Sequence, residues 1–248
     1  MNIIRRTLLL GLFLLSASFV SHAQEVDDVL AIGDSLTAGL FRSGNGLITC
    51  AALGGAVLTA SQQQFCIGNG QRNIGGWQPE LSQLTGVDVF NYGNTGELTS
   101  EILPRLNSHL ASTPSKFVLI LGGTNDAIFR ASQASTISNL KQMISMVREA
   151  GRIPIIGTLP PLLFSSVASR NATVLSINAE IRAFEDIEVA DHYSVLVSEW
   201  PENTSGDFIH LGARGNSIVA QEWLRAIEAT QAVDAAFLPP IINLLLAD

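Results

Sequence analysis

The order of its short apolar runs constrains this 248-residue chain more than any other feature. Val29-Leu30-Ala31-Ile32, Val87-Asp88-Val89-Phe90, Phe117-Val118-Leu119-Ile120-Leu121 and Ile153-Pro154-Ile155-Ile156 are four or five residues long and follow one another at wide intervals. A fifth, weaker run lies at Ile187-Val189 or at Ser194-Leu196. Runs of that length, bounded by glycine or polar residues, read as buried strands. The proline in the fourth weakens it or marks the strand's first residue. Between the runs, Ile137, Leu140, Ile144 and Val147 recur at spacings of three and four, and Val174, Ile177, Ile181 and Phe184 repeat that pattern. Each set is one buried helix face, and a last helix is expected over 213–229. Strands alternating with helices imply a mostly parallel sheet of about five strands covered on both sides, a three-layer α/β/α domain.

Two stretches break this rhythm. Residues 41–76 are rich in Gly, Gln and Asn and show no strand or helix period, so they are expected as an irregular insertion. They hold both cysteines, Cys50 and Cys66. An even count in an exported chain favours a disulfide, here closing a loop of about fifteen residues worth ~3 kcal/mol in the chain-entropy model. The other stretch is the apolar tail, 233–248, with Ile241 to Leu246 too short to span a bilayer. At the opposite end, Arg5 and Arg6 precede an apolar run from Leu8 to Val20 and the small-residue site Ser21-His22-Ala23. This is the pattern of a signal peptide cleaved after Ala23, and it places the 24–232 domain outside the cytoplasm, in the periplasm or the medium.

Composition then narrows the partners. Hydrophobic residues at 47% are enough for a core, while a net charge of -8 argues against nucleic acid as a partner, since phosphate binding needs clustered Lys and Arg. No metal-ligand spacing appears, so nothing points to a metal or another cofactor.

In open parallel sheets, ligands bind beyond the carboxyl ends of the strands. The segments there are Gly33-Asp34-Ser35-Leu36, Asn91-Tyr92-Gly93-Asn94-Thr95-Gly96 and Gly122-Gly123-Thr124-Asn125-Asp126, each combining glycine with small polar residues. Nucleophilic catalysis by a serine requires a base and a group that orients it. Of the four histidines, His22 leaves with the signal segment, and His109 sits late in a helical pattern, where histidine is ordinarily solvated or matched to the helix dipole. His192 and Asp191 are sequence neighbours that point to opposite faces. His210, three residues after Asp207 and just before the last helix, is the remaining base, with a carboxylate placed to hold its ring.

Gly33-Asp34-Ser35-Leu36 resembles the first block of the GDSL, or SGNH, hydrolase family. Asn91 to Gly96 is similar to the second block, Gly123-Thr124-Asn125-Asp126 to the third, and Asp207-Phe208-Ile209-His210 to the last. The blocks stand in the family order and span 33–210. The resemblance implies the flavodoxin-like fold of that family and an ester hydrolase. In it Ser35 attacks the carbonyl, His210 accepts the serine proton and Asp207 fixes the imidazole. An oxyanion hole would come from the Ser35 N–H, the Gly96 N–H and the Asn125 side chain. The expected substrate is a small-molecule or lipid ester, with lipid or short-acyl esters favoured over a glycan ester.

Taken singly, each residue has a plainer job. Ser35 and Asp207 are good helix N-caps, Asn125 and Gly96 good turn residues, and His210 a surface side chain. A silent binding protein on the same scaffold and a nucleotide-binding module around Gly68-Asn69-Gly70 are the readings from other classes; the second lacks a full G-x-G-x-x-G. An α/β-hydrolase elbow is opposed by the absence of G-x-S-x-G. Trp77 and the run Leu53 to Leu58 either line an acyl pocket or belong to the core. Asn171 and Asn203 begin N-x-[ST] sequons.

Overall fold

The computed structural model describes residues 28–42, 47–59, 62 and 66–236. The expected signal segment lies outside them, as does the tail beyond its first four residues, which continue the last helix. No helix among the described residues is long and apolar enough to cross a membrane.

The main sheet is built from β1 (Val29–Gly33), β5 (Gln71–Arg72), β6 (Val89–Gly93), β7 (Phe117–Leu121), β8 (Ile153–Gly157) and β9 (Glu188–Ala190), in the order β5-β6-β1-β7-β8-β9. Five strands are parallel, and β5 pairs antiparallel at one edge. The near-continuous apolar character of these strands follows from burial on both faces. Leu30, Ile32, Val118 and Ile120 point into one core, closed by α3 (Thr99–Ser112), α5 (Gln133–Glu149) and α6 (Asn171–Arg182). Val29, Ala31, Phe117 and Leu119 point into the other, beneath α2 (Gln78–Thr85) and α9 (Ala213–Ala236). The three-layer arrangement expected from the strand and helix order is therefore present, with six strands.

Several expectations need correction. The second strand runs over Val89–Gly93, so Asn91 and Tyr92 lie inside it. Asn91 is buried there because its amide donates to the Ile74 carbonyl and accepts from the Gly93 N–H, partners no local pattern discloses. Of the two candidates for the fifth strand, the structure takes Glu188–Ala190. Ser194–Leu196 belongs to α7 (His192–Leu196), because the Asp191 side chain caps that helix on the Ser194 N–H. Phe184 falls just beyond α6, partly buried against the core, and α9 extends to Ala236.

The described part of the 41–76 insertion carries more regular structure than its sequence predicts. Together with Leu40 it forms a separate antiparallel sheet of β2 (Leu40–Arg42), β3 (Ile48–Cys50) and β4 (Ala56–Leu58). Strands of three residues are too short to show a period. What holds them is the Cys50–Cys66 disulfide and a small buried cluster of Ala38, Leu40, Ile48 and Ala52. Trp77 is fully buried and packs on Trp223 at 5.6 Å between ring centroids, so it is core and not pocket lining. Gly68 and Gly70 pack on Asn91 and Tyr92 ahead of β5, which is not the strand-to-helix turn of a phosphate loop.

Candidate active site

The registers of the sheet decide where the three glycine-rich segments meet. Gly33 of β1 lies level with Gly93 of β6 on one side and Leu121 of β7 on the other. All three strands therefore end at the same edge, and their following loops converge. Gly93 has no room for a Cβ, which would stand 2.1 Å from the Ala38 nitrogen. Its glycine lets β6 pass against α1 (Ser35–Ala38), the short helix that begins on Ser35.

Ser35 is not the cap of that helix. Asp34 is, its side-chain Oδ1 accepting the Leu36 N–H at 3.0 Å. The hydroxyl of Ser35 is thus free of a capping role and lies 2.9 Å from Nε2 of His210. On the other side of the ring, Nδ1 lies 2.7 Å from Oδ2 of Asp207. Asp207 does not cap the last helix, which starts at Ala213. Its other oxygen accepts the N–H groups of Ile209 and His210 at 3.0 and 2.9 Å, closing a tight turn. The turn is anchored by a bridge between Thr204 and Leu211 and by the Ser205 N–H on the His210 carbonyl. Both side chains of the pair are only 12% exposed, so His210 is not a surface residue.

Burial by itself raises the Asp207 carboxyl. The hydrogen bond and charge of His210, with the backbone donors, outweigh that and hold it below the ordinary carboxylate range. An ionised carboxylate only accepts, so Nδ1 donates to Asp207, and when the ring is neutral Nε2 is the nitrogen left to accept from the Ser35 hydroxyl.

Asn125 is the second residue of α4 (Thr124–Phe129), not its cap, and its amide donates to the Glu97 carbonyl at 2.9 Å. Gly96 has φ 84°, a left-handed conformation that favours glycine, while an added Cβ would meet nothing within 4 Å. Its glycine is thus required by the turn and not by crowding in the protein itself.

Two residues that the sequence did not single out tie these parts together. Arg105, on α3, donates to the Gly33 carbonyl at 2.9 Å and to the Tyr92 carbonyl at 2.8 Å, and pairs with Glu97 at 2.6 Å. It therefore spans the end of β1, the end of β6 and the residue after Gly96. Asp126 accepts the N–H and hydroxyl of Thr99 and the hydroxyl of Thr136, which fixes α4 to α3 and α5. A lone arginine in a helix carries no local signal: Gly33, Tyr92 and Glu97 all lie outside its own helix, and only His109, at 3.3 Å, is one turn away.

The other histidines are elsewhere. His109 stacks on Tyr92 at 4.0 Å rather than facing solvent, and burial beside the Arg105 charge lowers it to about 4. His192 is fully buried edge-on to Trp223, lowered by burial to about 3, and its neighbour Asp191 turns away to Arg182. The sequon residue Asn203 is buried on the Leu196 carbonyl, and Asn171 is engaged by Leu162 and Tyr193.

A surface depression of about 690 Å³ lies between α5 and α6 and contains none of the residues above. A cleft of about 330 Å³ is lined by Leu36 and Leu211, the residues that follow Ser35 and His210, together with Leu40 and Phe41. It opens between the small sheet and the start of α9.

A mostly parallel sheet carrying a hydrogen-bonded line of Ser, His and Asp at its carboxyl edge is an arrangement used for acyl transfer. The model of the GDSL-like lipase/acylhydrolase family matches residues 31–218, and the chain belongs to that family; it is an ester hydrolase. No curated protein matches it by sequence. Its fold is similar to a GDSL-like lipase from Bacteroides thetaiotaomicron, at 17% identity over 83% of this chain and 90% of the other, TM-score 0.60. It is also similar to the M. smegmatis aryl esterase, at 17% identity over 82% of this chain and 99% of the other, TM-score 0.59. A carbohydrate acetylesterase family member from Sinorhizobium meliloti is 18% identical over 82% of this chain and 98% of that one, TM-score 0.57.

Proposed function

We propose that the chain is an exported serine esterase that works through an acyl-enzyme on Ser35. The observation that carries this is the continuous line Ser35 Oγ, His210, Asp207, with contacts of 2.9 and 2.7 Å. As the Ser35 oxygen attacks the ester carbonyl, its proton passes to Nε2 of His210. Asp207 stabilises the imidazolium while remaining ionised itself. The tetrahedral oxyanion is held by the Ser35 N–H, the Gly96 N–H and one N–H of the Asn125 amide, whose other N–H is used on Glu97. His210 returns the proton to the departing alcohol, and water repeats the sequence on the acyl-enzyme to release the acid and restore Ser35.

The apolar cleft beside Leu36 and Leu211 favours a lipid or short-acyl ester. Export rests on the signal pattern of residues 1–23 and is supported by the Cys50–Cys66 bridge, since disulfides persist in oxidising compartments. The test is turnover of chromogenic acyl esters of increasing chain length by the protein and its Ser35→Ala variant. Turnover is expected to fall about 10⁴-fold or more in the variant. Equal turnover by both would remove Ser35 as nucleophile. Inertness of both towards simple esters, with release of acetate from an acetylated glycan, would move the substrate to carbohydrate esters.

A further inference from the structure

Phe208 lies between the two residues of the pair, and its backbone is left-handed, with φ 59°. Glycine adopts that conformation freely, whereas a bulky side chain is strained in it. The turn that Asp207 closes on Ile209 and His210 imposes the conformation, and glycine would satisfy the turn better. A phenylalanine is therefore kept here for its ring. That ring is half-buried and packs on Phe164, 5.3 Å away between centroids. Phe164 is 40% exposed, so the pair is an open aromatic surface and not a closed piece of core. Its position follows from the loop after β8: Phe164 immediately precedes the 3₁₀ turn Ser165–Arg170, which packs on α4, the helix of Asn125. The aromatic pair thus joins the Asp207–His210 turn to the loop whose 3₁₀ turn packs on the helix of Asn125.

From this geometry we infer that Phe164 and Phe208 bind the apolar part of the substrate ester, an aryl or alkyl group, and so set a preference for hydrophobic esters. The inference rests on the proposed serine esterase reading. Aromatic faces take up hydrocarbon with large area and little entropy cost, and loss of one wall of an apolar site weakens discrimination by about tenfold per methylene-sized contact.

The test is acid release, followed by pH-stat, from ethyl acetate, ethyl octanoate and phenyl acetate. The protein is compared with Phe208→Gly, which fits the left-handed turn, and with Phe164→Ala, which leaves the Asp207–His210 turn unaltered in sequence. Disturbance of the pair by Phe208→Gly slows the two ethyl esters alike and cancels in their ratio of kcat/KM; phenoxide needs less protonation by His210 to leave, so such disturbance raises the phenyl-to-ethyl ratio and does not mimic its fall. The expected result is that both variants lower the same ratio, octanoate to acetate or phenyl to ethyl, by about tenfold or more. A fall in the first ratio places the rings on the acyl side, and a fall in the second on the alcohol side. Ratios unchanged in both variants, with turnover still abolished by Ser35→Ala, overturn this inference and leave the esterase reading intact. Turnover that survives Ser35→Ala overturns the esterase reading, and this inference with it.

Discussion

Replacing Arg105 with methionine tests whether the Ser35 turn and the Gly96 loop are held as one unit. The guanidinium serves two carbonyls, Gly33 and Tyr92, and the Glu97 carboxylate, and the charged pair is 16% and 18% exposed. Methionine keeps much of the stem's packing and removes every donor. Two charge-assisted bonds at ~1.5 kcal/mol each and a partly screened ion pair at ~1 kcal/mol sum to about 4 kcal/mol. For a domain of this size that lowers Tm by about 8–16 °C. The catalytic effect is separate from stability. Gly33 precedes the Asp34–Ser35 turn, and Glu97 follows Gly96 while also accepting the Asn125 amide. Loss of the clamp is expected to shift Ser35 relative to Gly96 and Asn125, and on the proposed reading a misplacement near 1 Å costs about 10² in kcat. KM is expected to change much less. Arg105→Lys keeps the charge opposite Glu97 but lacks the planar fork, so it should recover stability more than kcat. The assay is ester turnover at a temperature well below both melting transitions, beside thermal unfolding. A Tm drop under about 3 °C with kcat unaltered would refute the reasoning.

Three further outcomes are expected. Asp207→Asn should leave the turn in place but lower kcat by about 10⁴, because the amide no longer fixes the Nδ1 proton, while KM stays near that of the parent. Asp34 is fully buried, and burial raises its carboxyl to about 7 despite the Leu36 N–H and the His210 charge. Since the unfolded carboxyl ionises near its ordinary value, the unfolded chain binds fewer protons between there and about 7, and the contribution of Asp34 to stability declines across that window as pH rises. Asp34→Asn, which still accepts from Leu36, should therefore melt several degrees higher than the parent at pH 8 and at about the same temperature at pH 4; identical Tm profiles would count against a neutral Asp34. Reduction of the Cys50–Cys66 bridge, or the paired change Cys50→Ser with Cys66→Ser, should cost about 3 kcal/mol, read as a lower Tm with the preference among esters altered more than the catalytic step.

Ser35, Gly96 and Asn125 follow short apolar runs and Asp207 and His210 precede the last helix, and their expected roles were legible through the resemblance of four blocks, in order, to one family. Ser35, Gly96, Asn125, Asp207 and His210 needed no knowledge of contacts to be nominated. Their plainer roles, in contrast, depend on hydrogen bonds, and it took the fold to show that Asp34 and not Ser35 caps α1, and that Asp207 closes its own turn. The small sheet of residues 40–58 was missed because its strands are three residues long. Trp77 was left undecided because an aromatic residue near a loop has the same local signature in a pocket and in a core.

What the sequence alone determined is the layered architecture and the succession of segments that meet at one edge, because apolar run length and helical period are local and each run must be buried on both faces. What only the tertiary structure decided is distance and protonation. The register that sets Gly33 beside Gly93 and Leu121 brings three loops together, and the turn before α9 returns His210 to within 2.9 Å of Ser35 from 175 residues away. Arg105, Asp34 and the ring of Phe208 acquire their meaning there as well, since a buried charge, a raised carboxyl and a strained backbone are properties of surroundings that the chain assembles only on folding.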